Sequence, residues 1–330
     1  MADPQAVHLA DAFRLAIAAG DAETITALVR RWLPIERQLQ GKVQDLAAHF
    51  AALAEQGQTP SWSQAFQDDR FQSLLTQLQS LLDGYGRDAE QLIDESQRQR
   101  SETGWRHAQI LTQAASGVTV SLERLPVEAV ENIVALARTG KPLATLLEAR
   151  YPLAAQGMLD RLVTGTALGW NPRKTARAMM EQGASQGLNH VLLVARDQQI
   201  RAYRTASLQA YRQSGLVIGY KRLAARQPRT CLACLALDGK FYRLDEEMPL
   251  HPQDRCTRIP VLEHPGETTW ATGREWFAAQ PEAVQRQMMG NQRYEAWRTG
   301  KFSFDDLVTI KKNELWGDSA TPTPLQKLPH

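Results

Sequence analysis

"RQPRTCLACLALDGKFYRLDEEMPLHPQDRCTRIPV", residues 226–261, holds all three cysteines of a 330-residue chain, Cys231, Cys234 and Cys256, with His251 between the second and third. The spacing is Cys-x2-Cys, sixteen residues, His251, four residues, then Cys256. Zinc favours thiolate sulfur and imidazole nitrogen in a tetrahedron, and two ligands separated by two residues can both turn inward at one knuckle. The stretch between the pairs is expected to form a hairpin that brings them together, with Asp238-Gly239 at its turn. Three alternatives stand beside this reading. A redox Cys-x2-Cys pair would open a helix in a thioredoxin-like context, which the flanking sequence lacks. The cysteines can instead pack as small apolar residues beside an unrelated histidine, or His264 can take the place of His251. With four protein ligands a zinc site has no vacancy for water, so the expected role is structural.

Outward from this stretch, "GLVIGYKRLAA", "LDGKFYRL" and "CTRIPVL" each carry a strand signal, the last as an edge because of its proline. Residues 216–263 thus read as a small β-rich unit. At 48 residues it has too little core to be stable alone, which a metal staple would remedy. Everything before it reads as helix. A first helix is expected over roughly 5–18, ending at Gly20, with Asp21 capping a long amphipathic stretch that Pro34 kinks or interrupts. Phe66, Phe71, Leu74, Leu75, Leu78, Leu81, Leu82, Tyr85, Ala89, Leu92 and Ile93 share one helical face. That face suits a bundle or, second, another protein chain, and Gly84 and Gly86 should weaken or divide the helix. "SQRQRSETGWRH", residues 96–107, reads as a solvated helical face. Pro126 is placed to open a helix, Asn171-Pro172 opens another, and 189–214 reads as one helix stopped by Gly215.

Short helices are expected over 272–312, and the tail "GDSATPTPLQKLPH" as extended or mobile chain. The fold class is therefore mainly α with a small zinc-stapled β-rich unit (α+β) and a long helical N-terminal region. Four segments follow: helices over 1–120, a helical core over 121–215, the β unit over 216–263, and short helices with a tail over 264–330.

A hydrophobic content of 43% with 22% charge excludes a mainly disordered chain. The net charge of +2 gives no general pull toward nucleic acid or membrane. Charge is concentrated, however: residues 196–229 hold eight Lys or Arg and one acid, Asp197. That stretch suits a solvated or protein-facing surface, or non-specific contact with DNA phosphates. No apolar run is long enough to cross a bilayer. The acidic opening "MADPQAVHLADAFRLAIAAGDAE" is unlike a signal peptide, so a cytoplasmic, thiol-reducing origin is expected.

"AYRTASLQAYRQSGLV", "RTCLACLALDGKFY" and "LHPQDRCTRIPV" together resemble the phage Mu F-like minor head proteins, also called head morphogenesis proteins, over roughly residues 120–263. "REWFAAQPEAVQRQMMGNQRYEAWRTGKFSFDDLV" is similar to the segment that often follows. The chain departs in two places. "HPQDRC" has one residue more between ligands than the usual form, and Ala195-Arg196-Asp197-Gln198 stands where many members read Ala-Arg-Thr-Glu. The resemblance implies a non-enzymatic virion protein of few copies near the portal vertex, made in the host cytoplasm. It would meet the portal protein and major capsid or scaffold proteins and help build a head competent to package or eject DNA. It further implies that Cys231, Cys234, His251 and Cys256 bind a structural Zn2+.

Other chemistry is weaker. "GASQG", residues 183–187, has the letters of a nucleophile elbow but a helix-like run before it, so a helix-to-helix turn is expected. No P-loop or His-Glu-x-x-His occurs. The rival from another class is a zinc-containing DNA-acting protein such as a nuclease, for which Asp238, Glu246, Glu247 and Asp254 are the available acids without recognisable spacing. A tethered toxin domain after residue 263 ranks last, because no nucleophile or cofactor fingerprint occurs there.

Overall fold

The computed structural model describes residues 5–134, 142–149, 151–263, 269–314 and 316–329. Its elements begin with α1 (Gln5–Glu55), α2 (Trp62–Gln67), α3 (Asp69–Ser116), α4 (Val127–Val134), α5 (Leu143–Glu148) and α6 (Tyr151–Ala167). There follow α7 (Pro172–Gln182), α8 (Ala184–Gln213), β1 (Val217–Leu223), α9 (Leu232–Ala236), β2 (Phe241–Arg243) and β3 (Thr257–Leu262). The chain closes with α10 (Gly273–Ala278), α11 (Glu282–Met289), α12 (Asn291–Arg298), β4 (Val308–Lys311) and β5 (Ser319–Pro322). The fold is mainly helical with a small antiparallel sheet.

Two compact units each draw on separated stretches of chain. One takes Met1–Asp21, Ser96–Gly140 and Asp197–His330; the other takes Ala22–Glu95 and Lys141–Arg196. Each therefore draws on more than one of the four sequence segments.

In the second unit the leucine face is a bundle face. Phe71, Leu74, Leu78, Leu82, Tyr85, Ala89 and Ile93 are buried at three- and four-residue steps, as are Leu28, Trp32, Leu39, Val43 and Phe50 of α1. Trp32 and Tyr85 meet edge-on with ring centres 5.1 Å apart, and the Tyr85 hydroxyl donates to the Leu28 carbonyl at 3.2 Å. Phe66 does not join this face: it lies on α2, exposed, stacked on Trp62. Asn171 caps α7 by accepting from the Arg173 N–H, with Pro172 in the first turn. Gly183 then separates α7 from α8, so "GASQG" is the expected turn between helices and Ser185 lies in the first turn of α8.

Several expected interruptions do not occur. α1 runs through Gly20, Asp21 and Pro34, and α3 runs through Gly84 and Gly86. Packing explains this: Trp32 and Leu39 on either side of Pro34 are fully buried, and burial of a helical face outweighs one missing backbone bond. At Gly20 a Cβ would collide with the Arg100 guanidinium, so this glycine makes room for a neighbour and does not end a helix.

The "SQRQRSETGWRH" stretch is likewise not a solvated face. Ser96, Gln97, Ser101 and Trp105 are buried, and His107 stacks on Phe13 with ring centres 3.6 Å apart. Gln97 and Gln198 share a buried hydrogen bond of 3.5 Å, so this helix pair packs partly through polar groups that a hydropathy pattern reads as surface.

In the first unit the sheet order is β2-β1-β3, all antiparallel, with Tyr220 facing Tyr242 on one side and Pro260 on the other. The proline thus sits on an edge strand, where no ladder bond is lost. The strand between the cysteine pairs therefore joins β1 and does not fold back on its own segment. The expected hairpin is absent because central β1 offers β2 a full antiparallel partner; Asp238-Gly239 turns the chain from α9 into β2, with Gly239 at φ +81°.

The sheet does not make its core alone. Leu223, Ile259 and Trp270 pack on Ala6, Val7 and Ala10 of α1 and on Leu111 of α3. Nor is the tail loose: β5 pairs with β4, Ala320 is fully buried, and Leu328 joins a core with Phe277, Phe304, Cys234 and Cys256.

Candidate metal centre

Cys231 stands at the N-terminus of α9, and Cys234 falls within its first turn. The Cys-x2-Cys knuckle is therefore a helix start, which turns both sulfurs to one side. His251 and Cys256 come from the loop between β2 and β3. That loop is shaped by Asp254: its N–H donates to the His251 carbonyl at 2.9 Å, and its carboxylate accepts from the Cys256 N–H at 2.6 Å. Gln253, at φ +66°, makes the reversal that brings the histidine back.

The four expected ligands converge through Cys234. Ligand atoms of Cys231, Cys234 and His251 lie within 4.8 Å of one another, and so do those of Cys234, Asp254 and Cys256. Cys234 Sγ is 3.2 Å from His251 Nε2. Atoms sharing a tetrahedral zinc stand roughly 3.5–3.8 Å apart, so the cluster has the right scale and the right soft donors to hold a metal ion. Cys234 and Cys256 are buried and Cys231 and His251 partly so, and all four line a cleft of about 330 Å³ together with Thr230, Arg229 and Arg255. His264 lies outside the described residues. Among the described residues, the groups of three or more His, Cys, Asp or Glu side chains near enough to share an ion are the two built on Cys234.

Beneath the sulfurs lies an ionic layer that the spacing did not announce. Arg222, on the central strand and fully buried, directs Nη2 to Asp254 Oδ2 at 2.7 Å, Cys234 Sγ at 3.1 Å and Cys256 Sγ at 3.3 Å. Its Nη1 donates to the Pro249 carbonyl at 2.6 Å. Arg204 of α8 holds the other face of the loop, donating from Nε to the Cys256 carbonyl at 2.9 Å and from Nη2 to Asp254 Oδ1 at 3.1 Å. Both carboxylate oxygens are thereby occupied, and Asp254 orients arginines and backbone.

The electrostatics follow from this packing. Burial works against the Asp254 charge, but Arg222 and Arg204 outweigh it and hold its carboxyl well below the usual range. Burial also disfavours the His251 cation, yet the Cys231 sulfur and the Asp254 carboxylate beside it bring its pKa up to about 9. For Arg222 burial is likewise overcome, chiefly by Cys256 and Asp254, and its pKa lies well above the ordinary value.

The other acids named from the sequence do not join a site. Asp238 accepts from the Ala224 N–H at 2.9 Å and from Trp270 Nε1 at 3.4 Å, and Glu246 accepts from the Arg243 N–H at 3.1 Å. Within the basic stretch, Arg204 and Arg222 face inward. Arg201 donates to the Ile133 carbonyl, Arg212 to the Leu244 carbonyl and Arg226 to Asp11. A single signal in the sequence marks Arg222. It lies two residues from Tyr220 on an alternating strand and therefore shares the face that carries a large aromatic ring.

No helix among the described residues is long and apolar enough to cross a membrane. No family model matches the chain, and neither a curated protein nor a solved structure matches it at a significant level.

Proposed function

We propose that this chain is a non-enzymatic minor head protein of a tailed bacteriophage, acting at the portal vertex, and that Cys231, Cys234, His251 and Cys256 bind one structural zinc. The observation that carries the metal half is that a helix-start knuckle and a carboxylate-shaped loop bring Cys231, Cys234 and His251 into one group and Cys234, Asp254 and Cys256 into a second, the two sharing Cys234. Four protein donors close a tetrahedron, so the ion would stabilise the fold and leave no position for substrate. The phage half rests on the motifs "RTCLACLALDGKFY" and "LHPQDRCTRIPV" in their order after a long helix. A nuclease would need carboxylates facing a bound phosphate. Here Asp254 is held by two arginines and Asp238 by a backbone N–H and an indole, which favours the structural reading.

The test of function is genetic and biochemical together. In a phage whose copy of this chain is disrupted, heads should fail to mature, and the restored protein should co-purify with procapsids and portal. Normal heads without it, and no co-purification, would defeat the assignment. Metal-dependent DNA cleavage lost in Asp238→Asn or Asp254→Asn would turn it toward the nuclease.

A further inference from the structure

The guanidinium of Arg222 is placed as no generic core arginine needs to be. It is fully buried on the middle strand, and a single nitrogen, Nη2, reaches both deep sulfurs as well as Asp254. We propose that Arg222 is the positioning residue of the metal centre: it fixes Cys234 Sγ and Cys256 Sγ and draws charge from them, so that the ion is held tightly and its thiolates are poor nucleophiles. The inference rests on the reading of this cluster as a metal site.

Three observations support it. The first is formal charge. A divalent ion with three thiolates and a neutral imidazole carries one net negative charge, and Asp254 adds a second. Arg222 and Arg204, both buried against the loop, cancel the two. A buried cluster of this kind is tolerable only when its charges are balanced and hydrogen-bonded. The second is fork geometry. Nη1 is committed to the Pro249 carbonyl while Nη2 meets the sulfurs, which pins the nitrogen between them. A lysine ammonium keeps the charge but cannot serve both ends of that arrangement. The third is the layering: Asp254 orients Arg222, Arg204 orients Asp254, and Arg222 orients the ligands, as outer partners of metal ligands generally do.

The experiment uses the full chain loaded with cobalt(II), whose sulfur-to-metal charge-transfer band reports electron density on the thiolates. In Arg222→Lys the band is expected to move to longer wavelength. Zinc affinity, measured by competition with a chromophoric chelator, should fall roughly 10- to 100-fold, the usual cost of losing an outer-shell partner. Iodoacetamide should also attack the metal-loaded variant faster than the metal-loaded wild type.

A merely structural arginine would leave the band in place, so a stable, cobalt-loaded Arg222→Lys with unchanged band and affinity overturns the proposal. A wild-type chain giving no tetrahedral cobalt spectrum overturns the metal reading itself, which is a distinguishable result. Should the variant not fold, the wild type loaded with NMR-active cadmium decides. Scalar coupling from the Arg222 Nη protons to the metal across the N–H···S bonds supports the proposal, and its absence overturns it.

Discussion

At the scale of single residues, two titratable groups in the first unit, Asp238 buried and His107 half-buried, tilt stability in opposite directions. Burial raises Asp238 from 3.8 to about 6, against the pull of the Ala224 N–H, and its Oδ2 has no hydrogen-bond partner among the described residues. The protonated acid is thus favoured in the fold. Its contribution is full below about pH 4 and lost as pH rises through about 6, a change of ~3 kcal/mol. Asp238→Asn keeps an oxygen for the Ala224 N–H without the charge. Its stability relative to wild type, from urea melts, should therefore climb by up to about that amount between pH 4 and pH 7.

His107 behaves oppositely. Burial, then Arg106 and Arg100, lower it from 6.5 to about 4, so its neutral form is favoured and stability is lost as pH falls through that interval. The ring is only half buried, and solvent screening reduces the effect to about 1 kcal/mol. His107→Phe, which can keep the stack on Phe13, should lose its disadvantage against wild type as the buffer is acidified. A constant gap in either variant would contradict the assignment.

The same scale shows what was legible. Cysteines and a histidine announce themselves because few residue types ligate soft metals and their spacing is local. Arg204, Arg222 and Asp254 meet from a helix, a strand and a loop, so only the tertiary fold discloses their pairing.

Among the elements, the helices α7 and α8, the strands β1 to β3 and the turn at Gly183 followed from periodicity and capping. The misread features were glycines, a proline and a polar run whose meaning depends on a neighbour. Gly84 and Gly104 lie in one helix, yet a Cβ at Gly84 meets nothing nearer than Arg87 at 4.0 Å, whereas at Gly104 it would collide with the Tyr203 carbonyl. Gly84→Ala should accordingly raise stability by about 0.5–1 kcal/mol through helix propensity. Gly104→Ala should lower it by roughly 1–3 kcal/mol by forcing packed helices apart. Calorimetric melting distinguishes these; equal effects at both positions would refute the packing argument. The tail is extended, as expected, but its packing was hidden for a related reason. Leu328 looks like one apolar residue among prolines, but it is 4% exposed in the core that holds Cys234 and Cys256. Leu328→Ala should cost about 2–4 kcal/mol in a urea melt, whereas a mobile tail would show no change.

At the scale of the whole molecule, the sheet and its proposed metal share one unit with the N-terminal turns of α1, the second half of α3 and the C-terminal segment. A sequence read from end to end divides this chain into consecutive segments, because contacts between distant stretches leave no periodic trace. The consequence for metal loss is local. With much of the sheet's core supplied from elsewhere, stripping the ion should free the knuckle and the 249–256 loop without unfolding the helical unit. Hydrogen exchange is expected to quicken over 231–256 on chelation and to stay unchanged over the buried face of Leu78, Leu82 and Tyr85. Loss of protection throughout would show that the ion holds the entire chain.

The central claim, that these four residues form a closed structural zinc site, meets its most direct test in metal content read together with thiol reactivity. Elemental analysis of the purified native protein should give one zinc per chain, with Cys231, Cys234 and Cys256 protected from alkylation until a chelator is added. Protein without metal, in which Cys231 and Cys256 alkylate freely in the folded state, would contradict it.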